Sequence, residues 1–459
     1  MRAVLALVCV AQFMVVLDVS VVNVALPSVQ DALGFDPRGL AWVGNAYALV
    51  FGGFLLLGGR LADLYGHRRV LAAGLALFTL ASLVGGLSGS GGMLVAARAA
   101  QGLGAAVLAP VTLAIVTTTF PEGPHRTRAI AVWTAVSLAG GTAGNLIGGA
   151  LTEYLSWRAI LLVNVPIGLA CLAATRVLGP GTARGTGRRV DLLGAALATG
   201  GMVALAHGLG GAPAYALLGV VLLGLFAVVE ARLARAPLIP PRLLRPRAIW
   251  LGNLAMLLAG ACLNPMWYFL TLSMQRVLGY GPLQTGLAFL PHTLLTMLVG
   301  LYATPWLMRR AGHRVLVAAG ALLGAAGFLW QAALAPGDSY LAAILGPAVL
   351  ISLGGGLLNT PLTVTVTSGV GPADAGAASG LMNTAKQLGG GLGLAALIAL
   401  TGEPPGGADA TAGALAAAYG QAFTLIAAAM AAVAVLAAAL PARRDPAPAR
   451  PERSSPGKG

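Results

Sequence analysis

Charged residues are scarce in this chain, and acidic residues are the scarcest of them. Charged side chains make up 9% of the 459 residues, with 14 Asp and Glu against 28 Lys and Arg, whereas an ordinary soluble domain holds roughly 25%. The hydrophobic fraction is 58% and the mean hydropathy is +0.84. This composition excludes an ordinary soluble protein and indicates a polytopic membrane protein.

Cysteine and histidine are too few and too scattered to form a chemical centre. The three cysteines, Cys9, Cys171 and Cys262, are isolated in apolar runs, so we expect neither a disulfide framework nor a metal site. The five histidines are likewise dispersed. The sequence contains no nucleophile with its base and no phosphate-cradling loop with its lysine. We therefore predict that the protein is not an enzyme and has no metal or cofactor.

The basic excess, a net charge of +14, follows membrane topology and does not indicate nucleic-acid binding. The stretch Gly59 to Arg69 packs three arginines, one histidine and one aspartate between two uncharged apolar runs. Basic residues that flank membrane-spanning helices stay on the cytoplasmic side, so this stretch is predicted to be a cytoplasmic hinge. Alternating outward from it places 23 of the 28 Lys and Arg in the cytoplasm. We expect contact with membrane lipid and none with nucleic acid.

The apolar runs predict fourteen transmembrane helices with both termini in the cytoplasm. Helices satisfy their own backbone hydrogen bonds in lipid, and no alternating pattern suggests a barrel. Two polar connections, 179–189 and 232–247, bracket spans seven and eight. We predict an all-α integral membrane protein with an N-terminal six-helix bundle over 1–178, a linker with two inserted helices over 179–247, a C-terminal six-helix bundle over 248–440 and a disordered cytoplasmic tail over 441–459.

An internal echo supports two related bundles. The segment Gly66-His67-Arg68, which precedes an alanine-rich and glycine-rich span, reappears as Gly312-His313-Arg314 before another such span. If span three corresponds to span eleven, the two bundles are parallel repeats, as in many secondary transporters. The alternative is a coincidence in a sequence rich in alanine, glycine and arginine.

Asp18 is the only acidic residue that we place well inside a span. An intramembrane carboxylate costs a few kcal/mol, so it normally faces a cavity and serves a proton or a substrate. Arg98 enters span four at a similar depth and is its natural partner. Burial favours the neutral acid and the guanidinium favours the carboxylate, so a movement that separates the pair would switch its protonation. The alternative is a structural Asp18 bonded to Asn23 or to a backbone group.

Other polar residues within spans are candidates for a substrate cavity. Lys386 either neutralises an anionic substrate or extends its amine to the cytoplasmic interface, and His292 either titrates or forms a polar wall. The glycine-rich run Gly140 to Gly149 has small residues at i, i+4 and i+8, which predicts close helix packing by span five. The predicted cavity residues are Asn23, Gln101, Asn145, Asn264, Tyr268, His292, Asn359 and Lys386.

Four segments resemble the major facilitator superfamily, in its fourteen-span drug:proton antiporter branch. They are Leu17 to Pro27, Gly59 to Arg69, Arg98 to Gly102 and Ser156 to Gly168. The resemblance implies a major facilitator fold and proton coupling through Asp18 and Arg98. It also implies a cytoplasmic gate formed by Gly59, Asp63, Gly66, Arg68 and Arg69.

The sequence departs from that branch at three positions. Leu64 stands where a basic residue usually follows the loop aspartate, Asn145 where the span-five motif usually has proline, and Lys386 where arginine is common. The resemblance implies export of a hydrophobic drug, antibiotic or metabolite in exchange for protons, by a monomer in a bacterial inner membrane. The alternatives are a proton symporter or facilitator, and a non-transporting membrane receptor of the same fold.

Overall fold

The computed structural model describes residues 1–121, 123–178, 191–233, 238, 241–367, 370, 375–402 and 410–440. Among these residues the fold is entirely helical, without a β-strand. The predicted tail over 441–459 and the whole of the first predicted connection, 179–189, lie outside the described residues.

Sixteen α-helices follow one another in the described part of the chain. They are α1 Arg2–Leu33, α2 Pro37–Tyr65, α3 His67–Gly86, α4 Gly91–Thr119, α5 Pro124–Tyr154, α6 Ala159–Leu162, α7 Asn164–Ala174, α8 Leu192–Leu209, α9 Pro213–Val228, α10 Arg247–Leu272, α11 Pro282–Ala288, α12 Leu290–Leu298, α13 Thr304–Gln331, α14 Gly346–Thr367, α15 Ala375–Thr401 and α16 Ala412–Ala439. Short π-helical stretches accompany them at Val229–Leu233, Ser273–Val277, Val299–Ala303 and Leu341–Leu345.

Side-chain caps fix where two of the long helices begin. The Asp36 carboxylate accepts a hydrogen bond from the Gly39 amide at 2.8 Å, and Pro37 occupies the first turn of α2. Ser90 caps α4 through the Met93 amide in the same way. These residues satisfy amides that the first helical turn leaves without a partner, so the spans begin at polar positions that the sequence supplies.

Twelve helical stretches of the described chain are long and apolar enough to cross a membrane. One of them, Pro282–Gln331, has 50 residues, whereas one crossing needs about 20. Gly312 interrupts it with a φ of 72° and a ψ of 164°. The helix α15, which carries Lys386, is not among the twelve. The count of fourteen spans therefore stays a prediction.

The stretch Gly59 to Arg69, predicted as a hinge, is almost entirely helical. Helix α2 continues to Tyr65 and α3 begins at His67. Only Gly66 turns the chain, with a φ of 88° and a ψ of 137°. The expectation of a longer hinge was wrong because charge alone does not end a helix, and the stretch contains leucine, alanine and arginine, which favour helix.

The two copies of the internal echo adopt the same kind of turn. Gly312, the counterpart of Gly66, also has a positive φ with an extended ψ. This conformation is essentially restricted to glycine. The shared Gly-His-Arg sequence therefore specifies the same backbone break between two long helices in both halves of the chain.

The helices pack in two groups joined by an inserted pair. In the first group α1 packs on α5, and α4 packs on both α2 and α3. In the second group α10 packs on α15, while α13 packs on α14 and α16. The groups touch through α2 with α15 and through α5 with α11. Helix α8 packs on α9, α2 and α15, so the inserted pair lies against one of the two seams between the groups.

The glycines of α5 bring it against α1 at close range. A Cβ atom added to Gly148 would lie 2.7 Å from the Val21 Cα, and one added to Gly144 would lie 3.0 Å from the Leu17 carbonyl oxygen. Gly140 meets α1 one turn earlier. The close packing predicted from the i, i+4, i+8 spacing is confirmed, and its partner is the helix that carries Asp18.

Candidate functional site

Asp18 and Arg98 form an ion pair inside the first helical group. Arg98 Nη1 lies 2.5 Å from Asp18 Oδ2, and the side chains are 2% and 0% exposed. Helix α1 contributes the carboxylate and α4 contributes the guanidinium. The pairing expected from their depth and sign is confirmed. Each charge compensates the other, which two buried ions require.

The second carboxylate oxygen of Asp18 is held by two amide side chains. Asp18 Oδ1 accepts hydrogen bonds from Asn164 Nδ2 at 2.8 Å and from Gln101 Nε2 at 3.0 Å. Asn23, which the structural alternative named, is not the partner. The donors come from α7 and α4, so three helices converge on this carboxylate.

Arg98 is fixed by two further acceptors. Its Nε donates to the Val43 carbonyl oxygen of α2 at 3.0 Å, and its Nη1 donates to Gln101 Oε1 at 3.0 Å. Gln101 Nε2 also donates to Ser82 Oγ of α3 at 2.8 Å. The network thus ties α1, α2, α3, α4 and α7 together at one depth. Asp18 accepts directly from α4 and α7, and α2 and α3 are joined to it through Arg98 and Gln101.

Tyr47 covers the guanidinium of Arg98. The Arg98 Cζ atom lies 4.5 Å from the centre of the Tyr47 ring, within the range of a cation–π interaction. The backbone of Tyr47 is held close to α4 because Gly102 crosses α2 there, and a Cβ on Gly102 would lie 3.1 Å from the Tyr47 Cα. The Tyr47 side chain is 2% exposed.

A cavity of about 240 Å³ lies beside the ion pair, where the two helical groups meet. Its walls come from α1, α2, α4 and α5 of the first group and from α10, α12 and α15 of the second. Arg98 is the one charged residue among its described lining residues, and Asp18 does not line it. The polar lining residues are Ser20, Asn23, Asn45, Tyr47, Arg98, Asn145, Asn264, Tyr268, Thr293 and Gln387.

Four of the eight predicted cavity residues line this cavity: Asn23, Asn145, Asn264 and Tyr268. Asn264 Nδ2 lies 3.5 Å from Gln387 Oε1 across the wall formed by α10 and α15. The hydroxyl of Tyr268 donates to the Pro37 carbonyl oxygen at 3.3 Å. Tyr268 thereby joins the second helical group to the start of α2.

Two other predicted residues act behind the wall. Gln101 binds Asp18, as described above. His292 is buried behind Trp267, with 5.0 Å between their ring centres, and its Nδ1 lies 2.8 Å from Ser352 Oγ. A histidine so placed supports the wall and does not face the described cavity.

The last two predicted residues also lie outside the lining. Asn359 Nδ2 donates to the Gly355 carbonyl oxygen of its own helix at 3.0 Å. Lys386 is half-buried and precedes Gln387, which does line the cavity. The helical rotation of about 100° per residue turns Lys386 away from its neighbour's direction.

The predicted cytoplasmic gate is described only in part. Gly66 forms the turn between α2 and α3, and Arg68 lines a second cavity of about 210 Å³ with His67. The side chain of Asp63 lies outside the described residues. The role of Asp63 in the gate therefore stays a prediction.

Sequence reasoning did not select Tyr47, Asn45 or Asn164 for this site. Asn164 stands in a segment that resembles the superfamily, but nothing in the sequence places its amide against Asp18. Tyr47 and Asn45 are polar residues in an apolar span, which is the signal that would have found them. Their direction depends on how α2 is rotated, which one span alone does not determine.

Polar contacts join the two helical groups at the end where α1 terminates. Gln275 Nε2 donates to the Val24 carbonyl oxygen at 2.8 Å, and Arg276 forms an ion pair with Asp31. Near the end of α5, Glu153 accepts from the Leu283 amide at 3.5 Å. The cavity is therefore covered on that side by contacts between the groups.

Sequence comparisons relate the chain to an antibiotic export protein and an antibiotic resistance protein. The sequence model of the Major Facilitator Superfamily matches residues 8–394. The cephamycin export protein CmcT of Amycolatopsis lactamdurans is 58% identical over 438 residues, which cover 93% of this chain and 90% of that protein. The puromycin resistance protein pur8 of Streptomyces alboniger is 41% identical over 404 residues, covering 86% and 80%.

A solved structure relates the chain to transporters by shape. The crystal structure of the nucleoside transporter NupG superposes with a TM-score of 0.69, covering 95% of this chain and 99% of that one. The sequence identity is 12%, so this likeness concerns the fold alone.

Proposed function

The chain belongs to the major facilitator superfamily, and on that premise we propose that it exports an antibiotic-like small molecule from the cytoplasm in exchange for protons. It is a multi-pass membrane transporter and not an enzyme. The similarity to a cephamycin export protein and to a puromycin resistance protein supports outward transport of an antibiotic.

We propose fourteen spans in a bacterial inner membrane, with both termini in the cytoplasm. The break at Gly312 divides the 50-residue stretch into two spans, and the 27-residue helix α15 is long enough to be another. Residues 1–178 and 248–440 then form the six-helix bundles, and 179–247 contains the inserted pair α8 and α9. The packing of α8 against α2 and α15 supports this division.

The observation that carries the proposal is the position of Arg98. It pairs with Asp18 on one side and lines the cavity on the other. A proton on Asp18 removes the charge that Arg98 compensates, and a substrate in the cavity contacts the same guanidinium. Both ligands therefore act on one group, so each changes the contacts available to the other, and coupling of this kind is reciprocal.

Proton entry supplies the driving force in this proposal. One proton moving down about 100 mV contributes about 2.3 kcal/mol, before any contribution from the pH difference. The five helices tied to the Asp18–Arg98 network are the moving parts. The contacts of Arg276 with Asp31 and of Gln275 with Val24 break when the bundles separate on that side.

The cavity favours substrates without a double positive charge. Its described lining offers amides, hydroxyls and one guanidinium, and no carboxylate. A cephamycin bears carboxylates and amides, so its chemistry suits this lining. Puromycin is the second compound that the relatives suggest.

Uptake into inside-out membrane vesicles tests the proposal, with a cephamycin and puromycin as substrates and with or without an imposed proton gradient. We expect gradient-dependent accumulation of at least one compound, lost in Asp18→Asn. Asp338→Asn is the control, since Asp338 is an exposed acid that does not line the cavity. Accumulation of a compound to the same extent with and without the proton gradient would indicate a facilitator. Absence of transport for both compounds would contradict the proposed substrate class.

A further inference from the structure

Two polar atoms on residues that line the cavity are buried, and the protein leaves them without hydrogen-bond partners. They are the hydroxyl of Tyr47 and the side-chain oxygen Oδ1 of Asn145. The side chains are each 2% exposed, and both residues line the cavity. Several other buried polar atoms in the described part of the chain also lack partners, but none of those residues lines this cavity.

A buried polar atom without a partner lowers the stability of a folded protein. A buried donor or acceptor without a partner forfeits the hydrogen bond it made with water, and most buried polar groups in native proteins are satisfied. Two unsatisfied atoms on residues that line one cavity are therefore candidates for groups that a ligand satisfies. In the neighbouring network Arg98, Gln101 and Asn164 all donate to Asp18, and Asn164, whose Oδ1 also lacks a partner, does not line the cavity.

We propose that Tyr47 and Asn145 form a two-point polar anchor for the transported compound. This inference rests on the proposed function and names the chemistry of its substrate. The Tyr47 hydroxyl donates to an acceptor of the ligand, a carbonyl or carboxylate oxygen. Asn145 Oδ1 only accepts, so the ligand presents an N–H or O–H to it. The ligand is a compound that carries a hydrogen-bond acceptor and an amide-type donor, as a cephamycin does.

The two anchor residues belong to different helices, so a movement of either helix changes the distance between them. Tyr47 lies on α2 beside Arg98, and Asn145 lies on α5, where Gly144 and Gly148 press that helix against α1. The neighbouring backbone at Asn145 also meets the second bundle, since a Cβ on Gly286 would lie 3.1 Å from the Asn145 carbonyl carbon. A ligand held by both side chains thus bridges helices that meet at the seam between bundles.

The cavity is large enough to hold part of a drug-sized compound but not to enclose all of it. Its volume of about 240 Å³ is below the roughly 300–1,000 Å³ of sites for drug-sized ligands. The polar part of the compound occupies the described cavity, and the remainder requires space that opens when the bundles move apart.

Equilibrium binding to the purified full-length protein in detergent tests the anchor without any proton gradient. The probes are a cephamycin and the same compound with its side-chain amide N-methylated, which removes the donor. We expect Tyr47→Phe and Asn145→Leu each to weaken cephamycin binding about tenfold. Asn145→Gln keeps a neutral amide acceptor, so we expect it to bind more tightly than Asn145→Leu.

A cycle between protein and ligand isolates the contact at Asn145. N-methylation should weaken binding to the wild-type protein about tenfold and should add little to the loss already present in Asn145→Leu. Asn253→Leu is the matched control, because Asn253 Oδ1 is also buried and unpartnered but does not line the cavity. Tyr419→Phe is the control for Tyr47→Phe, since Tyr419 is likewise outside the lining.

The outcomes separate the anchor from the coupling mechanism. Cephamycin binding that Tyr47→Phe and Asn145→Leu leave unchanged overturns the anchor, as does additivity between N-methylation and Asn145→Leu. Failure of the wild-type protein to bind the cephamycin also overturns it. Binding that behaves as expected, combined with uptake that ignores the proton gradient, supports the anchor and rejects only the proposed antiport.

Discussion

Arg98 and Asp18 stand 80 positions apart in the chain, yet Arg98 Nη1 lies 2.5 Å from Asp18 Oδ2 in the buried interior of the first bundle. The ion pair carries no net charge, and Gln101 and Asn164 donate hydrogen bonds to its other carboxylate oxygen. It is therefore sensitive to any change that removes only one charge.

Loss of the cation alone should be more damaging than loss of both charges. We expect Arg98→Gln to destabilise the protein by about 3–5 kcal/mol, because it leaves the Asp18 carboxylate buried and uncompensated. The double variant Asp18→Asn with Arg98→Gln should recover part of that loss. Thermal unfolding of the two single variants and the double variant in detergent measures both effects.

The exposed pair of Asp31 with Arg276 provides the control for that cycle. Asp31 is 63% exposed, and exposed ion pairs contribute about 0–1 kcal/mol. Asp31→Asn should therefore shift the unfolding midpoint only slightly. Additive losses in the Asp18 and Arg98 cycle would contradict a directly coupled pair.

Asn164 should contribute to both stability and transport, although it lies at a junction between two helices. Asn164→Leu removes the donor that lies 2.8 Å from Asp18 Oδ1, and hydrogen bonds to charged groups contribute about 1.5–3 kcal/mol. We expect a loss of stability in that range and impaired gradient-driven uptake. Asn359→Leu is the matched control, since the Asn359 amide bonds only a carbonyl of its own helix in the described structure. Equal effects of the two variants on uptake would contradict the role assigned to Asn164.

The contact between α1 and α5 should not tolerate a methyl group at Gly148. A Cβ there would lie 2.7 Å from the Val21 Cα, so Gly148→Ala must push the helices apart, and overpacking of this kind costs about 1–3 kcal/mol. Gly224→Ala tests the same change on α9, where nothing lies within 4 Å of the added atom. We expect reduced expression and thermal stability for Gly148→Ala alone. A neutral Gly148→Ala would show that α1 and α5 can separate without cost.

The two Gly-His-Arg turns should respond alike to a side chain. Gly66 and Gly312 both have a positive φ with an extended ψ, a region that costs other residues about 1–3 kcal/mol. Gly66→Ala and Gly312→Ala should each lower the unfolding temperature. Gly413→Ala, at an open helical position, should not lower it. A lower unfolding temperature for only one of the two variants would argue against equivalent repeats.

The sequence alone was enough to predict the membrane class, most helices and the depth of the key charges. Hydropathy over about 20 residues and the basic flanks are local properties, and lipid imposes helices on such runs. The glycine spacing in α5 predicted close packing, and the intramembrane charges of Asp18 and Arg98 predicted a pair because neither is stable alone in lipid.

Only the tertiary structure decided which helices meet and which side chains face the cavity. It placed Asn164 on Asp18 across 146 positions, put Tyr47 over Arg98, and left His292 and Asn359 outside the cavity wall. The sequence of one span does not show which neighbouring helix each of its faces meets, so it does not determine how that helix is rotated about its axis. That rotation is set by the shapes of the packed surfaces, which exist only once the whole chain has folded.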